Sequence, residues 1–386
     1  MGKKIVIAIT SIIISCFVGE AFLRIAGFSY PKFYIADEYR GGSLLPKAEG
    51  WWRNEGDVYI RINSQGLRDR EHIREKPEKT VRIAVLGDSY AEAFQVQQEQ
   101  AFWSVLEREL GKCVAQSGKR IEVINFGVSG YGTAQELITL QRHVFDYKPD
   151  IVLLAFTTGN DIRNNSNVLE PEKFRPFYVF KNDKLLLDDS FKNRVAFSLR
   201  RSLLGKIYYN IINRSRLAQL VYQGKLIIQS RRLEKNQMPM QRYENFLDEM
   251  IYKEPREDVL AEAWKITENL LSMIQKEVKD HNSMLFVVTL SNGIQVHPDN
   301  AVRLEFMERI KVDDLFYPDT RIKKYCEGKG ILVLNLAPQL LSYAQKYNVY
   351  LHGFKKTILG FGHWNSTGHR LAGEIIAKNL CDIVSR

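Results

Sequence analysis

The chain has 386 residues, 45% of them hydrophobic, enough for one large core or two modest ones, which excludes an intrinsically disordered protein. Its formal charge is +10, but no nucleic-acid-binding motif accompanies the excess, so no nucleic-acid partner is expected. The four cysteines, at 16, 113, 326 and 381, lack CxxC spacing, so neither a zinc site nor a disulfide framework is implied; one disulfide among the last three stays open.

The chain opens with "MGKK", then the apolar run "IVIAITSIIISCFVG", which "EAFLRIAGF" continues past Glu20. A helix from about Lys4 to Phe28 has the length of a tilted bilayer span. Residues 1–29 are therefore expected to form an uncleaved signal anchor. The positive N-terminus would stay inside and the rest of the chain would lie outside, on the periplasmic or extracytoplasmic side of the cell membrane. A cleaved secretory signal competes, because the pure apolar core is only moderately long. Cys16 in "IISC" also permits lipidation, although no polar linker follows it. The bland alternative is the buried first helix of a cytoplasmic fold.

Residues 30–79, with "DVYIRINSQGLRDRE", read as a small strand-bearing lead-in whose role the sequence does not state. Five short apolar runs then read as buried strands: "RIAVLG" (82–87), "IEVINFG" (121–127), "DIVLLAFT" (150–157), "MLFVVTL" (284–290) and "ILVLNL" (331–336). They do not alternate apolar with polar residues, as expected of strands covered on both faces in a parallel sheet. Helical patterns separate them. Phe102, Val105, Leu106 and Leu110 share one face, and so do Leu137, Leu140 and Val144. "EDVLAEAWKITENLLSMIQKEVKD" and the closing "STGHRLAGEIIAKNLCDIV" read likewise. This alternation predicts a doubly wound α/β domain over 80–386. The gap between the third and fourth strands is too long for a crossover, so about 163–257 is expected to be a helical insert beside the site. Within it, Arg200 to Lys235 is strongly basic, opposed only by Glu234, and interleaved with Leu203, Leu204, Ile207, Ile211, Leu217 and Val221. That pattern is a basic amphipathic helix, read either as a solvated face or as a membrane-surface contact.

In an open parallel sheet, ligands collect at the carboxyl ends of the strands. Gly87-Asp88-Ser89 follows the first strand. "GVSGYGT", with Gly127, Gly130 and Gly132, follows the second. "TTGND", with Asn160 and Asp161, follows the third. "GFGHWNSTGH", with His363 and His369, lies beyond the fifth and a further helix. A serine hydroxyl needs a neutral imidazole to take its proton as it attacks. The oxyanion that acyl transfer builds needs preorganised N–H donors, which glycine backbone and an asparagine amide supply. Ser89, Gly130, Asn160 and His363 each meet one of those needs.

In this order and spacing the four blocks resemble the SGNH, or GDSL-type, hydrolases, over roughly residues 80–386 with the insert unmatched. The resemblance implies a three-layer α/β/α sandwich on a five-stranded parallel sheet, a flavodoxin-like arrangement. It implies Ser89 as nucleophile and His363 as base. It also implies an oxyanion hole made by the Ser89 N–H, the Gly130 N–H and the Asn160 side chain. No cofactor and no metal are expected, on the spacings of the glycines and of the histidines and carboxylates. One departure matters. The family's acid, two or three residues before the histidine, is replaced here by Gly360 and Phe361. A backbone carbonyl could orient His363, another acid could reach it, or the chain could be a non-catalytic relative. The expected activity is that of a serine esterase or deacylase, on an ester such as an O-acylated carbohydrate. Acyl transfer to a polysaccharide hydroxyl is the alternative, since the chemistry is shared until the second nucleophile arrives. Acyl chain, alcohol and oligomeric state are not readable.

The remaining candidates have plainer readings. Asp88 and Asp161 are supporting residues; Asp88 is expected to bond loop N–H groups. Ser89 alone would be a helix N-cap. The glycines run GxxGxG after a second strand, which does not match a dinucleotide site. His369 falls inside the last helix, capped by Asn365 or Ser366, and is expected to pack. His297 is read as a surface-loop residue that could line the pocket. His72, His143 and His281 are read as helix or surface residues. No histidine or carboxylate spacing suggests a metal.

Overall fold

The computed structural model describes residues 2–236 and 249–385. Side chains in its helix Arg216–Asn236 are described as far as Ile228, so the side chains of Arg231, Arg232, Glu234 and Lys235 of the expected basic stretch lie outside the described ones.

The first helix, Gly2–Ile25, has a mean hydropathy of 2.3 and no buried residue; it is long and apolar enough to cross a membrane. Two antiparallel hairpins follow: β1 (Tyr34–Asp37) with β2 (Gly41–Leu44), and β3 (Glu49–Trp52) with β4 (Val58–Arg61). The central strands are β5 (Thr80–Gly87), β6 (Arg120–Asn125) and β7 (Ile151–Thr157). After β8 (Phe177–Lys181) and β9 (Lys184–Asp188) come β10 (Met284–Leu290) and β11 (Leu332–Asn335).

β6, β5, β7, β10 and β11 lie side by side in that order, all parallel. All seven residues of β7, in the middle of the sheet, are buried, which is why its sequence shows no alternation. Along β5 successive side chains go to opposite faces. Ile83 and Val85 pack with Trp103, Leu106, Leu340 and Ile376, from helices Phe102–Cys113, Ala337–Tyr347 and Ser366–Ser385. Ala84 and Leu86 pack with Leu137, Trp264 and Ile322, from helices Thr133–Thr139, Asp258–Asp280 and Tyr317–Gly328. The result is a three-layer α/β/α sandwich on a five-stranded parallel sheet, as expected. The strand ends shift from the expected ones by no more than two residues.

Three features go beyond the sequence reading. The insert opens with the β8–β9 hairpin before its helices Val195–Arg201, Leu203–Arg214 and Arg216–Asn236, so it is not wholly helical. A disulfide joins Cys113 to Cys381 at the ends of two helices in one layer, with Cα atoms 5.7 Å apart. The lead-in is part of the body of the protein: Phe33, Leu44, Val58 and Ile60 form one apolar cluster with Phe94, Val128 and Tyr131, from the loops after β5 and β6. Burying that cluster fixes the β3–β4 turn over the carboxyl edge of the sheet.

Candidate active site

Ser89 stands directly past the end of β5, opening the short helix Ser89–Glu92. Asp88 caps that helix, its Oδ1 accepting the Tyr90 N–H at 3.0 Å. His363 arrives on the loop ahead of helix Ser366–Ser385. Asn365 fixes the junction, its Oδ1 accepting the N–H groups of Thr367 (3.0 Å) and Gly368 (3.1 Å). His363 Nε2 lies 2.8 Å from Ser89 Oγ.

The other imidazole nitrogen is not free. His363 Nδ1 lies 2.5 Å from Oε2 of Glu55, at the turn between β3 and β4. Burial acts to raise the Glu55 carboxyl, but the hydrogen bond and charge of His363 outweigh it and hold the group below the usual carboxylate range. With Nδ1–H donating to that carboxylate, Nε2 is left as the acceptor for the Ser89 hydroxyl. Glu55 was not singled out in the sequence, and no backbone carbonyl is needed to orient the ring.

The lack of an acid three residues before His363 has a physical explanation. Gly360 has φ +89°, and a Cβ built there would fall 2.4 Å from His297 Cδ2. Neither the backbone nor the space admits an aspartate. Phe361 is buried and packs on His297 instead.

A second missed residue, His352, braces the same loop. It is fully buried, with Nδ1–H donating to the Gly362 carbonyl at 2.6 Å and Nε2 lying 3.1 Å from Ser291 Oγ. The Tyr90 hydroxyl donates to the same carbonyl at 3.2 Å. Burial pushes His352 down to about 4, so it stays neutral. The backbone beside His363 is thus held by two donors.

Gly130 and Asn160 border the same cleft as Ser89 and His363, a cavity of about 800 Å³. Gly130 has φ +77°, with open space where a Cβ would lie. Its carbonyl accepts from Arg175 Nη1 at 2.7 Å. The preceding Ser129 N–H donates to Glu92 Oε2, and Glu92 Oε1 accepts from the Tyr34 hydroxyl at 2.5 Å. Burial raises Glu92 to about 7. Asn160 Nδ2 donates to Asp88 Oδ2 at 3.1 Å, which fixes the amide plane at the cleft wall. Burial raises Asp88 above its ordinary value. Asp161 is buried beneath the wall, its Oδ2 accepting the Thr157 N–H at 2.8 Å, and it does not border the cleft. The insert contributes Arg200 and Tyr209 to the rim.

The other histidines lie apart. His369 packs inside the last helix, stacked on Phe102, with Nδ1 accepting the Phe102 N–H at 3.3 Å. His297 is not on the surface: it is buried between Tyr350 and Phe361 and does not border the cleft. His72 is likewise buried, with Nδ1 2.7 Å from Glu122 Oε1, because the lead-in covers the start of the sheet. His143 is half-buried, and His281 is exposed and stacked on Phe145. Among the described residues, no group of three or more His, Cys, Asp or Glu side chains could hold a metal ion.

No family model and no curated protein sequence matches the chain. Solved structures similar to it include an acetylxylan esterase from Geobacillus stearothermophilus, in a catalytic mutant form, at 10% identity and TM-score 0.40, covering 78% of this chain and 94% of that one. A lipase/acylhydrolase from Enterococcus faecalis is 13% identical, with TM-score 0.37 and coverage of 78% and 96%. An α/β hydrolase from the metagenome of Lake Arreo, Spain, is 13% identical, with TM-score 0.38 and coverage of 79% and 96%. Likeness at this level says nothing of chemistry on this chain, which rests on the geometry of its own cleft.

Proposed function

We propose that this chain is a serine esterase or deacylase of the SGNH type, with Ser89, His363 and Glu55 as its triad. The observation that carries the reading is the continuous chain from Glu55 Oε2 through both ring nitrogens of His363 to Ser89 Oγ, with contacts of 2.5 and 2.8 Å. Ser89 Oγ attacks the ester carbonyl carbon as its proton passes to His363 Nε2, and Glu55 stabilises the imidazolium. The oxyanion takes hydrogen bonds from the Ser89 N–H, the Gly130 N–H and Asn160 Nδ2. Collapse expels the alkoxide, which leaves with the proton from His363. Water then attacks the acyl-enzyme by the same route and releases the acid.

The non-catalytic reading rested on the lack of an acid for His363; Glu55 supplies one, which favours the enzyme. The cleft, about 800 Å³, sets Tyr34, Tyr209, Arg163 and Arg200 beside apolar Ile35, Phe174 and Ile358, a mixed lining with room for an ester on a sugar-like alcohol. Helix Gly2–Ile25 serves as a single-pass anchor, with the rest of the chain outside the cell membrane. The Cys113–Cys381 disulfide fits that oxidising side.

The test is Ser89→Ala in the full chain, assayed against p-nitrophenyl acetate and acetylated xylan, with a serine-directed fluorophosphonate as a second readout. Turnover and labelling at background in the variant are expected. Unchanged turnover would remove Ser89 from the mechanism.

A further inference from the structure

The insert carries its apolar face on the wrong side for a water-soluble domain. In helix Leu203–Arg214 the side chains of Leu203, Leu204, Ile207, Tyr208 and Ile211 fall within about 140° of one another at the helical pitch. A helix of a soluble domain would bury that stripe. Here all five are exposed, Leu203 by 73%, and only Ile212 of this helix is buried. Val195 and Leu199 on the preceding helix and Val221 on the following one extend the apolar surface.

This surface is joined to the end of the N-terminal helix by a set of hydrogen bonds. Glu20 accepts from the backbone N–H groups of Arg216 (3.0 Å) and Leu217 (3.1 Å) and from Ser215 Oγ (3.0 Å), so it caps helix Arg216–Asn236 from another segment. Arg24 Nη2 donates to the Arg214 carbonyl at 2.5 Å. Ile207 and Ile211 share a crevice with Cys16 and Phe17. Phe17 lies eight residues before the end of the helix at Ile25, about 12 Å along its axis. The stripe therefore reaches below the level at which the helix leaves the apolar layer. Between residues 195 and 228 the sequence holds Arg200, Arg201, Lys206, Arg214, Arg216 and Lys225 and no acid.

We propose that helices 195–228 lie in the interface of the bilayer that holds the N-terminal helix. The Leu203–Ile211 stripe enters the acyl boundary and the cations face anionic lipid headgroups. Continuity with the anchor selects lipid over a protein partner, and the six cations, which outnumber the two acids that meet these helices among the described residues, Glu38 paired with Arg201 and Glu20 at Arg216, select anionic lipid. Arg200 and Tyr209 are on these helices and also rim the cleft, so the cleft opens beside the lipid surface. The inference rests on the reading of Gly2–Ile25 as an anchor.

The experiment uses the full chain in nanodiscs of phosphatidylcholine with phosphatidylglycerol, nitroxide-labelled and probed with oxygen and a nickel chelate. Native Cys16, exposed and unpaired, reports the anchor; Cys326 is buried and the other two cysteines are bonded. Leu204→Cys and Leu203→Cys, each with Cys16→Ser, report the stripe, and Lys346→Cys with Cys16→Ser is the aqueous reference. Retained ester hydrolysis certifies each labelled fold. Labels at 203 and 204 are expected to favour oxygen several-fold over the reference and to sit shallower than Cys16. A lipid-exposed Cys16 with stripe labels that match the reference overturns the proposal and leaves the anchor standing. Stripe labels shielded from both reagents also overturn it, since protein would then cover the face. An aqueous Cys16 overturns the anchor and the proposal together.

Discussion

Glu55 and His363 stand 308 residues apart in the chain and 2.5 Å apart in the fold. The carboxylate that the last block lacks comes from the tip of a hairpin in the lead-in, before the first strand of the sheet. In the folded chain it meets Nδ1, the ring nitrogen an acid must meet to leave Nε2 basic toward Ser89.

Glu55→Gln is therefore expected to lower kcat on p-nitrophenyl acetate by about 10²-fold or more with little change in KM. A neutral amide can bond the ring but cannot stabilise the imidazolium. Glu55→Asp, one methylene shorter, should keep part of the rate. Steady-state kinetics of the three proteins checks this, and a Gln variant at wild-type rate would return His363 to a dyad.

Moving the acid to three residues before His363 should fail. Gly360→Asp places a Cβ 2.4 Å from His297 Cδ2 at a backbone φ of +89°. The variant is expected to lose stability by about 2 kcal/mol or more, from strain and overpacking together. Combined with Glu55→Gln it should not restore activity. Urea midpoints and rescue kinetics read the two effects separately.

How far the sequence could be read follows from the range of each signal. The strands were legible because runs such as "DIVLLAFT" are local and wholly apolar. The placing of Ser89, Gly130 and Asn160 at one sheet edge was legible because each sits in a short block at a strand end, and that of His363 because its block leads into the last helix. Glu55 was not, since "RNEGD" is an ordinary turn whose partner is fixed only when Phe33, Val58 and Ile60 pack against Phe94 and Val128. His352 and the burial of His297 and His72 were hidden for the same reason: lone histidines carry no periodicity, and tertiary packing alone covers them. The Cys113–Cys381 pairing depends on two helix ends meeting across 268 residues, which no spacing rule reveals.

Glu92 gives a pH dependence with a defined sign. Burial raises its folded value to about 7, from an ordinary 4.5. Between those values the folded chain holds a proton that the unfolded chain has released, so stability falls as pH rises through that window and levels off above it. The shift corresponds to up to about 3 kcal/mol. Glu92→Gln removes the titration, so the melting temperature of the variant minus that of the wild type should move in favour of the variant between pH 4.5 and 8. A difference that stays flat with pH would show that Glu92 ionises in the folded protein as it does in water.

The disulfide supports the layer that delivers His363. Cys113 ends helix Phe102–Cys113, and Cys381 lies in helix Ser366–Ser385, whose first turn follows His363 directly. Those helices also meet through the Phe102–His369 stack, so they should stay docked when the bond is cut. Cys113→Ser with Cys381→Ser is expected to cost about 2–4 kcal/mol, chiefly through the freer unfolded chain. Turnover per folded molecule should not change, because the bond touches neither the cleft nor the loop that carries His363. Urea unfolding of the oxidised, reduced and double-serine proteins, each with an activity measurement before denaturant is added, checks both parts. A midpoint that stays put would mean that packing alone holds the helix pair. A loss of turnover in the folded variant would mean that the bond also sets the position of His363.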